Sequence, residues 1–533
     1  MTSKTVFIGL DGATFTLLDP LLAQGVMPFL KGLIATGIRS PLRTIVPPLT
    51  PPAWTSLLTG RSPGNHGIYD FFQLDAPGSR QIRLATSADV RCDGIGAIVN
   101  RHGKRITLLN FPVTFPPPPV DGFVVSGWMP WRQLRLGCRP PELYDRLKTL
   151  PAFNPRELAM DMALEARATE GCREDEYADW ITLHMQREQR WRDVVRDLMT
   201  NDPTDLTAIL LDGPDKLQHL CWRFVDPALY PANPTPEEAR THELAYAYYR
   251  QLDGIIEEIA TLAGPDATIV LASDHGFGAT TEVLHINSWL EQAGYLAWAK
   301  DAAVNAEQTG SLGMGHLSRH TQWLDWDRTT AYVSTPTSNG IHIVVADEPG
   351  MPGVPKDQYV AFRQKLIHDL ESFTDPVTGE RIISRVWPRE EAFNGPAMAW
   401  APDLTLFLRD GGLVSILPGT PILQPRPLPV GTHRPVGVFM AKGPGMRKGM
   451  VLRELSILDV APTLLYSLGL PIPEDLEGRV PLEMFEPAFR SKRPVEIAPT
   501  VRPSQPAPEQ AAVYDEESEE IILDRLRALG YVE

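Results

Sequence analysis

Short apolar runs that stop at an aspartate or a histidine constrain this chain more than any other feature. TVFIGL is followed by Asp11. LTAILLDGPDKLQH carries Asp215 and His219 just past its run, and ATIVLAS leads into Asp274 and His275. His433 lies in GTHRPVGVFMAKGPG, immediately before another such run. Runs of this length, rich in Val, Ile and Leu, read as buried parallel strands. In open α/β sheets the site lies beyond the carboxyl ends of the strands. At least three of these runs would therefore deliver carboxylates and imidazoles to one edge of one sheet, enough ligands for two metal ions.

Strand-like runs recur at Thr5–Leu10, Arg105–Asn110, Phe123–Val125, Leu206–Leu211, Thr268–Ala272, Ile341–Val345, Leu404–Leu408 and Val436–Met440, with helical patterns between several of them. The clearest helix is Pro236–Leu262, with Thr235 as N-cap, Glu237 and Glu238 in its first turn, and Gly264 at its close. Such alternation predicts an α/β fold with a mostly parallel central sheet flanked by helices. The catalytic domain is expected over residues 1–490, with insertions at about 116–200 and 288–431 forming cap or lid regions. The charged tract Met162–Thr200, carrying Trp180 and Trp191, is expected as a lid outside the main sheet. A Pro-rich linker follows over 491–513. A terminal helix is expected over 514–533, with Ile522, Leu526 and Leu529 on one face and Arg525 and Arg527 near the negative end of its dipole. That helix reads as docked on the core, with a dimer contact as the alternative.

Composition narrows the classes. The chain has 533 residues, 43% hydrophobic and 22% charged, as in an ordinary globular enzyme. A net charge of −16 argues against a surface that coats nucleic acid. It leaves an anionic substrate open, because bound cations invert the local potential. Cys92, Cys138, Cys172 and Cys221 show no CxxC spacing, which disfavours a disulfide framework or a zinc ribbon. No run of eighteen apolar residues and no signal-like N-terminus is present, so the expectation is a cytoplasmic enzyme off the membrane, as a monomer or homo-oligomer.

Asp215 and His219 stand at i and i+4, so one helical face presents both to one ion. Asp212 competes with Asp215, but only Asp215 has the i+4 partner. Asp274-His275 precedes Gly276, where a sharp turn brings both residues to one metal or to two neighbouring ones. Thr50 sits in PPLTPPAWTSLLTG, whose AWTSLLTG reads as the start of a helix. A threonine hydroxyl there becomes a nucleophile if a divalent cation stabilises its ionised form, and a helix N-terminus favours an anion. His285, His316 and His320 are candidates to line the pocket from the inserted region, and His66 reads as a loop-packing residue.

Together, FIGLDG, LTPPAWTSLLTGRSPGNHGI, DGPDKLQH, ASDHGF, GTHRPVGVFMAKGPG and the closing ILDVAPTLLYSLGLPIPEDLEGRVP resemble the alkaline phosphatase superfamily. Within it they are most similar to the type I phosphodiesterase/nucleotide pyrophosphatase group. The resemblance covers most of the chain to about Phe485. It implies that one metal takes Asp215, His219 and His433, and that a second takes Asp11, Asp274, His275 and the Thr50 oxygen. The metals would be two divalent ions, Zn²⁺ in most relatives and Mn²⁺ in some, and mixed nitrogen and oxygen ligands suit both. It also implies a ping-pong hydrolysis with Thr50 as the catalytic nucleophile and a phosphothreonine intermediate.

The sequence departs from this group at one point. Nucleotide pyrophosphatases carry a phosphoryl-contacting asparagine shortly after HGI, where this chain has Tyr69, Asp70 and Phe71. Asp70, Phe71 and Arg434 are therefore the substrate-binding candidates. The Cys or Ser and the Arg of a sulfatase signature are missing from Thr50-Pro51-Pro52-Ala53-Trp54. The expected activity is a two-metal phosphodiesterase acting on a small phosphoester. A phosphomonoesterase or phosphomutase is the alternative in the same class, and a non-catalytic metal- or phosphate-binding relative is the alternative from another. Extra cations for a monoester's third charge would come from Arg39, Arg61, Arg319 or Arg434.

Overall fold

The computed structural model describes residues 4–161, 177–299, 321–501, 514 and 519–523. At its centre, Thr5–Leu10 lies between Leu206–Leu211 and Thr268–Ala272, parallel to both. Ile106–Leu109 and Gly122–Val125 extend the parallel part beyond Leu206–Leu211, and Cys138–Arg139 closes that edge antiparallel. On the other side, Val436–Lys442 runs antiparallel to Thr268–Ala272 and to Ile38–Arg43.

These strands alternate strictly between two cores, as the two-residue period of a pleated strand requires. Val6, Ile8 and Leu10 join one core with Ile209, Leu211, Ile269 and Leu271. Phe7 joins the other with Leu206, Ala208, Leu210, Val270 and Ala272. Both faces are therefore covered by helices, which is why the strands read as continuous apolar runs. On the second face Phe7, Trp54 and Phe111 form an aromatic cluster with centroids 5.5–6.4 Å apart. Trp54 belongs to helix Thr50–Thr59, so this cluster anchors the helix that begins at Thr50.

The expected helix forms over Pro236–Ala263, with a full capping box between Thr235 and Glu238. The expected lid is a different object. Its residues 162–176 lie outside the described residues, and the remainder forms helix Tyr177–Asn201. Trp180, Ile181, Trp191, Val194, Val195 and Leu198 of that helix are buried in the main core. It packs against Pro236–Ala263 and Gly213–Val225. A stripe of this apolar content is stable only against the body of the protein. Gly122–Val125 and Cys138–Arg139 likewise belong to the central sheet, although they fall inside the first expected insertion.

The second insertion holds its own four-stranded sheet, ordered Ala331–Val333, Gly340–Ile343, Leu404–Leu408 and Ile383–Pro388. The runs at 341–345 and 404–408 are thus strands of this smaller sheet. A further sheet pairs Gly276–His285 antiparallel with Leu423–Arg434. Of the expected linker and terminal helix, Ile497–Ala498 pairs with Ile472–Pro473 and residues 519–523 are helical. Residues 502–513 and the positions of Leu526, Leu529, Arg525 and Arg527 lie outside the described residues. Among the described residues no single helix is long and apolar enough to cross a membrane.

Candidate active site

In-register pairing brings the ends of three parallel strands to one edge. Leu10 lies opposite Leu211, and Gly9 opposite Ala272. Asp11 continues that register, its N–H donating to Leu211 O at 3.2 Å. Gly12 then turns the chain with φ of 64°, a conformation natural to glycine, and its N–H donates to Asp274 Oδ1 at 3.1 Å. Val436–Lys442 is antiparallel to its neighbour, so its start lies at the same edge as the ends of the parallel strands. His433, just before that start, arrives there too.

Helix Gly213–Val225 carries Asp215 and His219 on one face. Leu423–Arg434 lies directly against it, because a Cβ on Gly431 would sit 2.1 Å from Gln218 O. This close approach sets His433 beside His219. The competing Asp212 takes a different role: its carboxylate pairs with the buried Lys216 ammonium one turn on. Lys216, which the sequence did not mark as functional, also lies near enough to oppose the rise in the Asp11 pKa.

Two sets of donor atoms result. Asp215 Oδ1 lies 3.3 Å from His219 Nε2 and 3.2 Å from His433 Nε2, and the two imidazole nitrogens are 3.2 Å apart. In the second set, His275 Nε2 lies 3.2 Å from Asp274 Oδ2, 3.2 Å from Thr50 Oγ1 and 3.8 Å from Asp11 Oδ1. A tetrahedral ion with bonds near 2.0–2.1 Å has ligand–ligand edges of about 3.3 Å. All these distances but the last match that edge. The sets abut, since donors of Asp215, His275 and His433 also lie within 4.8 Å of one another, and the His275 and His433 rings stack at 3.5 Å.

The imidazoles are oriented for ligation. His433 Nδ1–H donates to Pro48 O at 2.7 Å and His275 Nδ1–H to Gly276 O at 3.1 Å, the tautomer in each case assigned from that carbonyl. Each Nε2 is then left with a lone pair facing the cluster, the backbone-fixed tautomer of metal-bound histidines. Among the described residues, no hydrogen-bond donor satisfies either Asp11 oxygen or Asp274 Oδ2, all three of them buried. Buried carboxylates require such compensation.

The electrostatics agree. Burial, and then the charges of Asp274 and Asp215, hold the Asp11 carboxyl well above its usual range. Burial, with Asp215 nearby, pushes Asp274 up to about 8. Burial acts on Asp215 in the same sense but is outweighed by His219 and His433, which hold it low. Burial, followed by the neighbouring His433, keeps His275 well below the usual histidine range. Three carboxylates and three imidazoles packed this tightly form a donor set that fits two divalent cations.

Thr50 is fully buried and opens helix Thr50–Thr59. The substrate-binding candidates settle differently. Asp70 is saturated: it accepts from the hydroxyls of Thr335 and Thr337 and from Phe71 N–H. Burial nevertheless holds its pKa up at about 6. It therefore ties the loop after helix Pro63–His66 to the inserted region. The Arg434 guanidinium donates to the carbonyls of Asp410 and Ala279. Phe71 lines a cleft that also borders Pro51, beside Thr50. His285 bonds Leu417 O and Gln424 instead of lining the site, while His316 and His320 lie outside the described residues. His66 packs as expected, its Nε2 2.9 Å from Ser56 Oγ.

Sequence reasoning also missed Glu188. Its buried carboxylate accepts from Gly213 N–H at 2.8 Å and Tyr248 O–H at 3.2 Å, capping the helix that presents Asp215 and His219. Burial raises it to about 7. A glutamate in the middle of a charged helix carries no sequence signal for such a role.

Residues 5–417 match the family described as type I phosphodiesterase / nucleotide pyrophosphatase. The chain belongs to that family. Its members are phosphoester hydrolases of a metal-dependent type within the alkaline phosphatase superfamily. No curated protein matches this sequence. Among solved structures, phosphonoacetate hydrolase from Sinorhizobium meliloti 1021 in complex with phosphonoformate is similar with a TM-score of 0.50 at 15% identity, covering 88% of this chain and 95% of that one. Murine ectonucleotide pyrophosphatase/phosphodiesterase 5 is similar with a TM-score of 0.51 at 12% identity, covering 91% and 100%. At these identities the likeness is one of fold, and it agrees with the α/β architecture of this family member.

Proposed function

We propose that this protein is a metal-dependent phosphodiesterase that works through a phosphothreonine formed on Thr50. The observation that carries this reading is the buried Thr50 Oγ1, 3.2 Å from His275 Nε2, at a helix N-terminus and beside the buried carboxylates of Asp11 and Asp274. Asp215, His219 and His433 would hold one divalent ion. Asp11, Asp274, His275 and the Thr50 oxygen would hold the other, Zn²⁺ or Mn²⁺. Bound there, the ions supply Lewis acidity and neutralise the carboxylate cluster.

The remaining steps belong to this chain's own groups. Thr50 Oγ gives up its proton and forms a bond to phosphorus as one ester oxygen departs with its electron pair and takes up a proton to leave as the alcohol. Water then cleaves the phosphothreonine and restores the hydroxyl. Pro51 and Pro52 bring no N–H to the start of Thr50–Thr59, so it is the positive end of the helix dipole that favours the anionic group held there. Gly431 and the Glu188 cap keep His219, Asp215 and His433 in mutual reach.

A diester is favoured over a monoester because the arginines available for an additional charge are occupied. Arg39 pairs with Asp19 at 2.9 Å, Arg61 with Asp475 at 2.6 Å, and Arg434 with backbone carbonyls; Arg319 lies outside the described residues. A small-molecule phosphodiester is the substrate class. The test is acid quench of the enzyme during turnover of an aryl phosphodiester, followed by mass spectrometry. A phosphoryl group on the Thr50 peptide supports the reading. Turnover with that peptide unmodified under burst conditions overturns the covalent route.

A further inference from the structure

Asp70 and Arg434, both expected on substrate from the sequence, each hold one wall of a cleft that reaches a candidate metal ligand. His433 lies in its lining, beside residues 47–49, the stretch that runs into Thr50. The inserted region supplies Thr337, Asn339 and Gly411. Asp70 accepts from the hydroxyls of Thr335 and Thr337 and so pins the loop that carries Asn339. The Arg434 guanidinium donates to Asp410 O and packs so closely on Gly411 that a Cβ there would lie 2.1 Å from Nη1. Asn339 and Asp410 are held in left-handed backbone, with φ of 51° and 54°. Asparagine and aspartate tolerate that conformation better than most side chains, yet it marks positions fixed by their surroundings.

The other polar side chains of the lining are committed. Thr337 donates to Asp70, Thr432 to Gly411 O, and His433 Nδ1–H to Pro48 O. Asn339 O accepts from Leu406 N–H at 2.9 Å, which fixes its backbone. Its half-buried carboxamide makes no hydrogen bond among the described residues. The rest of the lining is proline, leucine, valine, phenylalanine and glycine, with no lysine, arginine, aspartate or glutamate. A charged substituent would lose hydration there without an ion-pair partner among the lining side chains. A hydroxyl both donates to and accepts from a carboxamide. The cleft encloses about 50 Å³ within about 530 Å³ that runs out to solvent, so a short substituent suits it better than a large ring system.

We propose that this cleft receives one ester group of the substrate and that Asn339 is its specificity-determining residue, selecting phosphodiesters whose ester group is short, uncharged and hydroxyl-bearing. This rests on the phosphodiesterase reading for the position of the reacting phosphorus. Asp70 and Arg434 then serve the substrate as positioning residues, through the two walls they hold.

The experiment compares two p-nitrophenyl phosphodiesters in the metal-loaded, full-length protein. The second ester is 3-hydroxypropyl in one and butyl, with a methyl in place of the hydroxyl, in the other. Wild type is expected to favour the hydroxyl-bearing diester at least about fivefold in kcat/KM, the scale of one net hydrogen bond. Asn339→Gly removes the carboxamide while keeping a residue at ease in left-handed backbone, and should bring that ratio to within about twofold of unity. Asn339→Asp, which also tolerates the backbone, should likewise lose the preference and covers the case in which the glycine variant melts early. Equilibrium binding of both diesters to the Thr50→Ala protein, with and without Asn339→Gly, reads the cleft without turnover. Equal binding and equal turnover of the two diesters by wild type would overturn the proposal and leave the hydrolase reading intact. Tighter binding of the hydroxyl-bearing diester that depends on Asn339, with neither diester hydrolysed by wild type, would support the cleft and sink the hydrolase reading. A folded Asn339→Gly protein that keeps the full preference would overturn the role of Asn339.

Discussion

His219 Nε2 and His433 Nε2 face each other at 3.2 Å across 214 residues of sequence. The Nδ1–H of His433 is committed to Pro48 O, so its Nε2 brings a lone pair to this contact. Asp215 Oδ1 completes a triangle with them. Such a triangle offers one divalent cation three donor atoms. Elemental analysis of protein purified without chelator is expected to find two divalent ions per chain. His433→Ala should lower that count toward one, and wild-type protein that stays metal-free after reconstitution would refute the assignment.

Removing the Thr50 hydroxyl tests the nucleophile. Thr50→Ala is expected to lower kcat by at least ~10³-fold. Thr50→Ser keeps an oxygen in place and should retain part of the activity. If Thr50→Ala remains within about tenfold of wild type, direct attack by water becomes the better mechanism.

Asp70 is expected to matter for stability more than for chemistry. Asp70→Ala removes the acceptor of the Thr337 hydroxyl and the Phe71 N–H, and leaves the Thr335 hydroxyl only Ser338 Oγ at 3.1 Å. The loss should be about 1–3 kcal/mol in denaturant unfolding. A large change in the diester-to-monoester ratio with no loss of stability would return Asp70 to the substrate.

Glu188 sets a pH dependence. Its ordinary value of 4.5 rises to about 7 in the folded protein, through burial. Between those values the folded state holds a proton that the unfolded state has released. Stability therefore falls as pH rises through this window, with a slope of at most about 1.4 kcal/mol per pH unit from this group. Glu188→Gln cannot ionise and should show a flatter profile from about pH 4.5 to 7, measured at fixed metal loading. Parallel profiles for the two proteins would contradict the burial argument.

Charge selectivity should favour diesters. Matched aryl phosphates, compared by kcat/KM, are expected to show the diester ahead. A monoester advantage above about a hundredfold, near 2.7 kcal/mol, would promote the phosphatase reading despite the engagement of Arg39, Arg61 and Arg434.

Local chemistry determined the central strands, the Thr235 cap and the ligand residue types from the sequence by itself. Apolar runs buried on both faces and a helix cap are written in consecutive residues, so Thr5–Leu10, Leu206–Leu211 and Thr268–Ala272 were legible along with Asp11, Asp215 and Asp274 at their ends. The resemblance carried by five motifs in order supplied the grouping of the ligands. Tertiary structure alone decided what depends on long-range packing. The antiparallel run of Val436–Lys442 puts His433 at the shared edge, and the contact of Gly431 with Gln218 sets it against His219. Packing also turned Tyr177–Asn201 from an expected lid into a core helix, bound Asp70 to two threonines, and enlisted Arg434 for backbone carbonyls. A polar side chain's partner is chosen by whichever donor or acceptor is buried beside it, and that choice is made across hundreds of residues, beyond the reach of any local pattern.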